Sequence, residues 1–192
     1  MTEPRTVTVQ KLLESIGLPR DFLDQLLKES DWSLVIKMHA VFEAVLASLI
    51  TKRLANPQVG DVVSNLDFNN TKAGKVALAR ALGLVESPEV AFLRGLSELR
   101  NKLVHNIENV TFSFKTHVAS LSAAELKKFR TEFGFAIRRL ENGDAEYDKY
   151  LRTHPRLIVY LAAYDCLLNL QFRVSNQARN MLAEVLLERS AR

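Results

Sequence analysis

Apolar residues recur at three- and four-residue spacing along most of the chain, which is the period that returns one face of an α-helix to the same side. The pattern predicts an all-α protein. A first helix runs from about Val9 to Ile16 and stops at Gly17; a second begins near Pro19 and turns Leu23, Leu26 and Leu27 to one face. Asp31 or Ser33 caps a long helix reaching about Ala55, with Leu34, Val35, Met38, Val41, Phe42, Val45, Leu46 and Leu49 in its apolar stripe. So wide a stripe implies burial against two or more partners. Asn56-Pro57 ends that helix, and the Asn-, Asp- and Gly-rich stretch to Asn70 reads as a structured loop with one helical turn. Thr71 to Leu82 forms the next helix, stopped at Gly83. Ser87-Pro88-Glu89 then opens another, with an N-cap, a proline and an acid in its first turn, running to about His105.

Val110-Thr111-Phe112-Ser113-Phe114 alternates apolar and polar and reads as the one short strand or extended arm. Ser122 caps a helix reaching about Leu140, and Glu141-Asn142-Gly143-Asp144 is turn chemistry. Tyr147 to Pro155 reads as a loop. Arg156 to about Glu188 forms one very long helix, with a break expected near Ser175-Asn176. Neither a linker nor a repeat of fixed period interrupts the chain. Residues 1–192 are therefore expected to make one helical domain, its bundle at about 31–140 and 155–188, with the long last helix as a docking extension toward a neighbouring subunit.

Composition narrows the class. With 192 residues, 47% of them apolar and only 7 Gly and 5 Pro, the chain has the material for a buried core and is not a low-complexity or disordered protein. The single cysteine, Cys166, excludes an intramolecular disulfide and any multi-cysteine zinc site, and on a buried helix it reads as a small core residue. The start, Met1-Thr2-Glu3-Pro4-Arg5, leads into no apolar run of signal-peptide length, and uninterrupted apolar segments such as Val45 to Ile50 fall far short of a membrane span. A cytoplasmic protein without membrane contact is expected. The formal charge of +4 permits a polyanionic partner without demanding one.

Phosphate-cradling glycine loops, nucleophile elbows, His-Glu-x-x-His pairs and calcium loops are all missing from the sequence. His39, His105, His117 and His154 are too dispersed to suggest a metal, and neither metal nor cofactor is expected. What carries chemistry is Glu98-Leu99-Arg100-Asn101-Lys102-Leu103-Val104-His105-Asn106 at the end of a helix. Phe92, Leu96, Leu99 and Leu103 form its core face; Arg94, Glu98, Asn101 and His105 share the opposite one. Arg100 sits roughly 140° around a straight helix from His105, so one helix does not easily aim both at one point. The long reach of Arg, a frayed helix end, or a second copy across a two-fold axis would bring them together.

Arg100-Asn101-Lys102-Leu103-Val104-His105 resembles the Arg-polar-x-x-x-His signature of the HEPN superfamily (higher eukaryotes and prokaryotes nucleotide-binding), which are small all-α bundles. The order around it is similar too: a long early helix with an acid, Glu43, in its apolar face, then a loop, a helix from Lys75 to Leu84 ending in Gly-Leu, and the motif helix. The resemblance covers about residues 31–110. It implies a homodimer in which motif residues of two chains form one cleft for metal-independent RNA cleavage, as in a toxin paired with an antitoxin or a defence protein. His105 would then be the general acid or base, Arg100 the stabiliser of the phosphorane, and Asn101 the group orienting either, with Glu43, Glu98 and Lys102 in support. The chain also resembles bacterial mannitol-operon repressors, non-catalytic relatives of this fold, in length, in the Leu99-Arg100 to His105 stretch and in the Phe-containing arm after it. That likeness implies a regulator acting through protein or nucleic-acid contacts.

Simpler roles compete for the same residues. Arg100, Lys102 and His105 at a helix end answer its negative dipole, and Glu43 in an apolar face needs a cation, for which Arg100 is the expected partner. Lys127, Lys128, Arg130, Arg138 and Arg139 form a basic helix face that would follow an RNA or DNA backbone or simply be solvated.

Overall fold

The computed structural model describes the backbone of residues 5–137 and 144–190 and the side chains of residues 9–137 and 146–176. Among the described residues ten α-helices follow in chain order: α1 (Arg5–Glu14), α2 (Phe22–Leu26), α3 (Asp31–Leu54), α4 (Gly60–Asn65), α5 (Lys75–Ala81), α6 (Ser87–Val104), α7 (Phe114–Ser120), α8 (Ala123–Phe133), α9 (Asp144–Thr153) and α10 (Pro155–Ser190). Two 3-10 turns, Pro57–Val59 and Ile107–Thr111, complete it. No strand occurs among the described residues, so the all-α expectation holds.

Helix α3 is the axis of the bundle. Ten of its residues, from Leu34 to Ile50, are buried, which is the wide stripe that demanded several neighbours. It packs on α4, α5 and α6 and touches α1, α2 and α10, while α8 covers the far side of α6. A chain of aromatic edges ties three helices: Phe42 of α3 meets Phe92 of α6 at 5.4 Å, and Phe92 meets Phe133 of α8 at 5.9 Å, both near perpendicular. Helix α3 and residues 155–176 of α10 are long and apolar enough to cross a membrane by length and composition. In this fold that apolarity is spent on the bundle interior, where Ile158, Val159, Ala162, Ala163, Cys166, Leu167 and Leu170 of α10 are buried.

Several helix boundaries differ from expectation for identifiable reasons. The N-cap of α3 is Ser30, whose hydroxyl accepts from the Ser33 N–H; Asp31 is drawn inward, accepting from the Phe114 N–H at 2.7 Å and pairing with Arg156. The α6 cap is Glu86, reciprocally bonded with Glu89, and Ser87 is its first residue. Positive φ at Gly17 and Gly83 follows α1 and α5, as the stop signals required. The stretch before Asn70 holds α4 as well as the 3-10 turn, and Ser122 caps α8 as expected, in a capping box with Glu125. Helix α10 runs through Ser175-Asn176 without a break.

Three expectations fail. The alternating run after the motif helix is no strand and no extended arm. Asn106 accepts from the Glu108 N–H and starts the 3-10 turn Ile107–Thr111, after which α7 begins at a fully buried Phe114. The alternation arises because Phe112 and Phe114 turn into the core together, ring centroids 5.1 Å apart. Helix α8 stops at Phe133 rather than continuing toward Leu140, and the expected Tyr147–Pro155 loop lies largely within α9. At the end of α8 the Tyr147 hydroxyl of α9 donates to the Gly134 carbonyl at 2.6 Å and occupies the space a Cβ at Gly134 would need.

Candidate functional site

Helix α6 presents the motif at its C-terminal end. Arg100 is half-buried, Asn101 exposed, and the Arg100 guanidinium donates to the Asn101 carboxamide oxygen at 3.1 Å. His105 is the C-cap residue and is exposed. The end of the helix is closed by other groups: the Asn109 amide donates to the Lys102 carbonyl at 2.8 Å and the Trp32 indole to the Leu103 carbonyl at 3.4 Å. These two carbonyls are thus satisfied without the His105 side chain.

The charge of Arg100 acts on His39 of α3, which packs on α5. There Glu43 is joined by His39, whose Nδ1 lies 3.7 Å from one carboxylate oxygen, and by Lys75, whose Nζ lies 3.7 Å from the other. The expected Glu43–Arg100 pair is thus replaced by a Glu43 shared between His39 and Lys75. The Lys75 amine, on a residue only 3% exposed, is also fixed by the Ser64 and Leu66 carbonyls at 2.9 Å each. Burial pushes the His39 imidazole below its ordinary range; Glu43 pulls it back up, and the Arg100 and Lys75 charges push it down again.

Glu98 and Lys102 belong to a second cluster, on the groove between α6 and α8. Gly95, Leu99, Phe129 and Phe133 line it together with Glu98, Lys102, His117, Glu125, Lys128 and Glu132, around a cavity of about 120 Å³. Lys128 bonds Glu98 at 2.8 Å and lies 3.5 Å from Glu132. Burial raises the Glu132 carboxyl above its ordinary range, and burial lowers the His117 imidazole, which the Lys102 charge lowers further. On the basic face, Lys127 is exposed, Lys128 is occupied by these acids and Arg130 pairs with Asp148 at 3.4 Å; Arg138 and Arg139 lie outside the described residues.

Of the expected site residues, Glu43 lies between His39 and Lys75, Arg100 bonds the exposed Asn101 and acts by its charge on His39, Glu98 and Lys102 line the α6–α8 groove, and His105 is exposed at the helix end. His39 was missed by sequence reasoning, although its spacing of four from Glu43 on a helix was a usable signal. Among the described residues no group of three or more His, Cys, Asp or Glu side chains could hold a metal ion. No protein-family model, no curated protein and no solved structure matches the chain.

Proposed function

We propose that this chain is a HEPN-like, non-catalytic regulator of the mannitol-operon-repressor type, acting in the cytoplasm as a homodimer through protein or nucleic-acid contacts. The observation that carries this reading is that Arg100 bonds Asn101 and acts on His39, while His105 is the exposed C-cap of the helix. A ribonuclease needs a proton-transfer group and a charge stabiliser at one scissile phosphate. Here Arg100 donates to Asn101 and its charge acts on His39 of α3, while His105 is exposed at the end of the helix. Beside His105, Val104 and Val110 are exposed and Ile107 is 84% exposed, an apolar end better suited to a protein contact than to a polyanion.

One observation favours the second reading, a metal-independent endoribonuclease of the toxin or defence kind: His105 is open to a second copy that would bring its own Arg100. Mapping transcript ends in cells that express the protein separates the two. The regulator reading expects a discrete set of transcripts to change in abundance without new internal 5′-hydroxyl ends. New ends that disappear with His105→Ala would overturn it.

A further inference from the structure

His39 lies outside that reading, yet its surroundings are unusual. It is 5% exposed, its ring packs on Phe68 with centroids 4.5 Å apart, and its Nε2 is buried without a hydrogen-bond partner. The charged groups that act on it come from three helices: Glu43 from its own α3, Lys75 from α5 and Arg100 from α6. Asp67, on the loop carrying Phe68, spends its carboxylate on the Asn69 and Asn70 N–H groups of that loop.

That loop is a closed unit. The Gly74 N–H donates to the Asn70 carbonyl at 3.0 Å, the Lys75 N–H to the Asp67 carbonyl at 2.8 Å and the Val76 N–H to the Phe68 carbonyl at 3.2 Å. A Cβ at Gly74 would lie 2.6 Å from the Asn70 carbonyl oxygen, so the turn closes only with glycine. Phe68 is its buried anchor, 5% exposed, while Asn70 to Ala73 are exposed.

We propose that His39 is a proton-operated latch on residues 66–74: the neutral ring seats Phe68 and holds the segment shut, and the protonated ring releases it. A second proton would place a positive charge beside Lys75 and Arg100, with one carboxylate, Glu43, already committed to Lys75. It would also put a donor on a buried nitrogen that has no acceptor. Water must then enter, and the side that yields is the loop, because on the helix side Met38 and Phe42 are locked in the core. Burial keeps the neutral form dominant through neutral pH, so release comes in the acid range.

Amide hydrogen exchange of the intact protein, read by NMR between about pH 7.5 and pH 5.0 alongside the imidazole titrations, tests the latch. The Gly74, Lys75 and Val76 amides should lose protection by about tenfold or more on acidification, while Leu96 in α6 keeps its own. The loss should follow the titration of the His39 ring, and His39→Phe, which keeps an aromatic seat for Phe68, should hold these amides protected throughout. Unchanged protection in the wild type, a loss that follows the His117 titration, or a loss that persists in His39→Phe would overturn the proposal. Should His39→Phe not fold, the match between wild-type protection and the His39 titration decides alone.

Discussion

The guanidinium of Arg156 at the start of α10 reaches the carboxylate of Asp31 at the start of α3, 125 positions away in the chain. The other oxygen of that carboxylate accepts the first N–H of α7 from Phe114, and Arg156 also donates to the Leu26 and Leu27 carbonyls at 3.2 and 3.0 Å. One acid therefore joins the beginnings of three helices, and the groups it satisfies have little water to fall back on. Asp31→Ala should cost about 2–3 kcal/mol, measured as a shift of the urea midpoint at unchanged slope. Lys37→Ala, which removes an exposed pair with Glu29, should cost about 0.5 kcal/mol or less.

Gly95 and Glu132 face each other across the α6–α8 groove. A Cβ at Gly95 would lie 2.9 Å from the Glu132 carboxyl carbon and 3.0 Å from its Cβ, and the latter does not swing away as a side-chain tip does. Gly95→Ala gains up to about 1 kcal/mol of helix propensity and loses more to the clash, giving a net destabilisation of about 1 kcal/mol. In a Glu132→Ala background the carboxyl contacts are gone but the Cβ contact at 3.0 Å stays, so the same change should cost less than in the parent without becoming stabilising. A thermal-melt cycle of the four proteins checks the sign.

Acid should weaken the fold in two windows. His39 and His117 are both held below the ordinary imidazole range by burial, so the unfolded chain binds protons that the native protein refuses; stability is full above about pH 6.5 and falls as the pH drops below it. Glu29, lowered by its bonds to Lys37 and Ser33, and Glu125, lowered by Ser122, act in the same direction only in the carboxylate range, near pH 4 and below. Glu132 runs the other way: its raised carboxyl favours the fold in acid, and that contribution is lost as the pH rises through its folded value. Denaturation midpoints measured from about pH 7.5 to pH 5.0 should therefore decline, and replacing either histidine should flatten the decline.

Cys166 sits fully buried on α10, and burial raises its thiol well above the ordinary range, with the Glu89 and Asp165 charges adding to the rise. It should react with a thiol reagent only as fast as the bundle opens, and at once in denaturant. Rapid labelling of the folded protein would contradict this packing.

Much of the bundle was legible because its signals are local. The α3 stripe, the glycines after α1 and α5 and the Ser122 cap each act over a few residues, and each appears where expected. What escaped depends on distant partners. Tyr147 closes the end of α8 at Gly134 from 13 positions away, and Asp31 left capping to Ser30 because Arg156 and Phe114 claim its carboxylate. At the candidate site, the composition of the motif was readable but its grouping was not. Lys75 and Phe68 come to His39 and Glu43 through a loop closure that no spacing rule announces.

The central claim is that Arg100 and His105 serve separate purposes and form no catalytic pair. Incubation of a mixed RNA substrate with the purified protein in EDTA, beside His105→Ala and Arg100→Ala, tests it most directly. The account predicts that none of the three cuts RNA, that His105→Ala is as stable as the parent, and that Arg100→Ala shifts the His39 titration upward by removing a neighbouring positive charge. Cleavage by the wild-type protein that both substitutions abolish would contradict it.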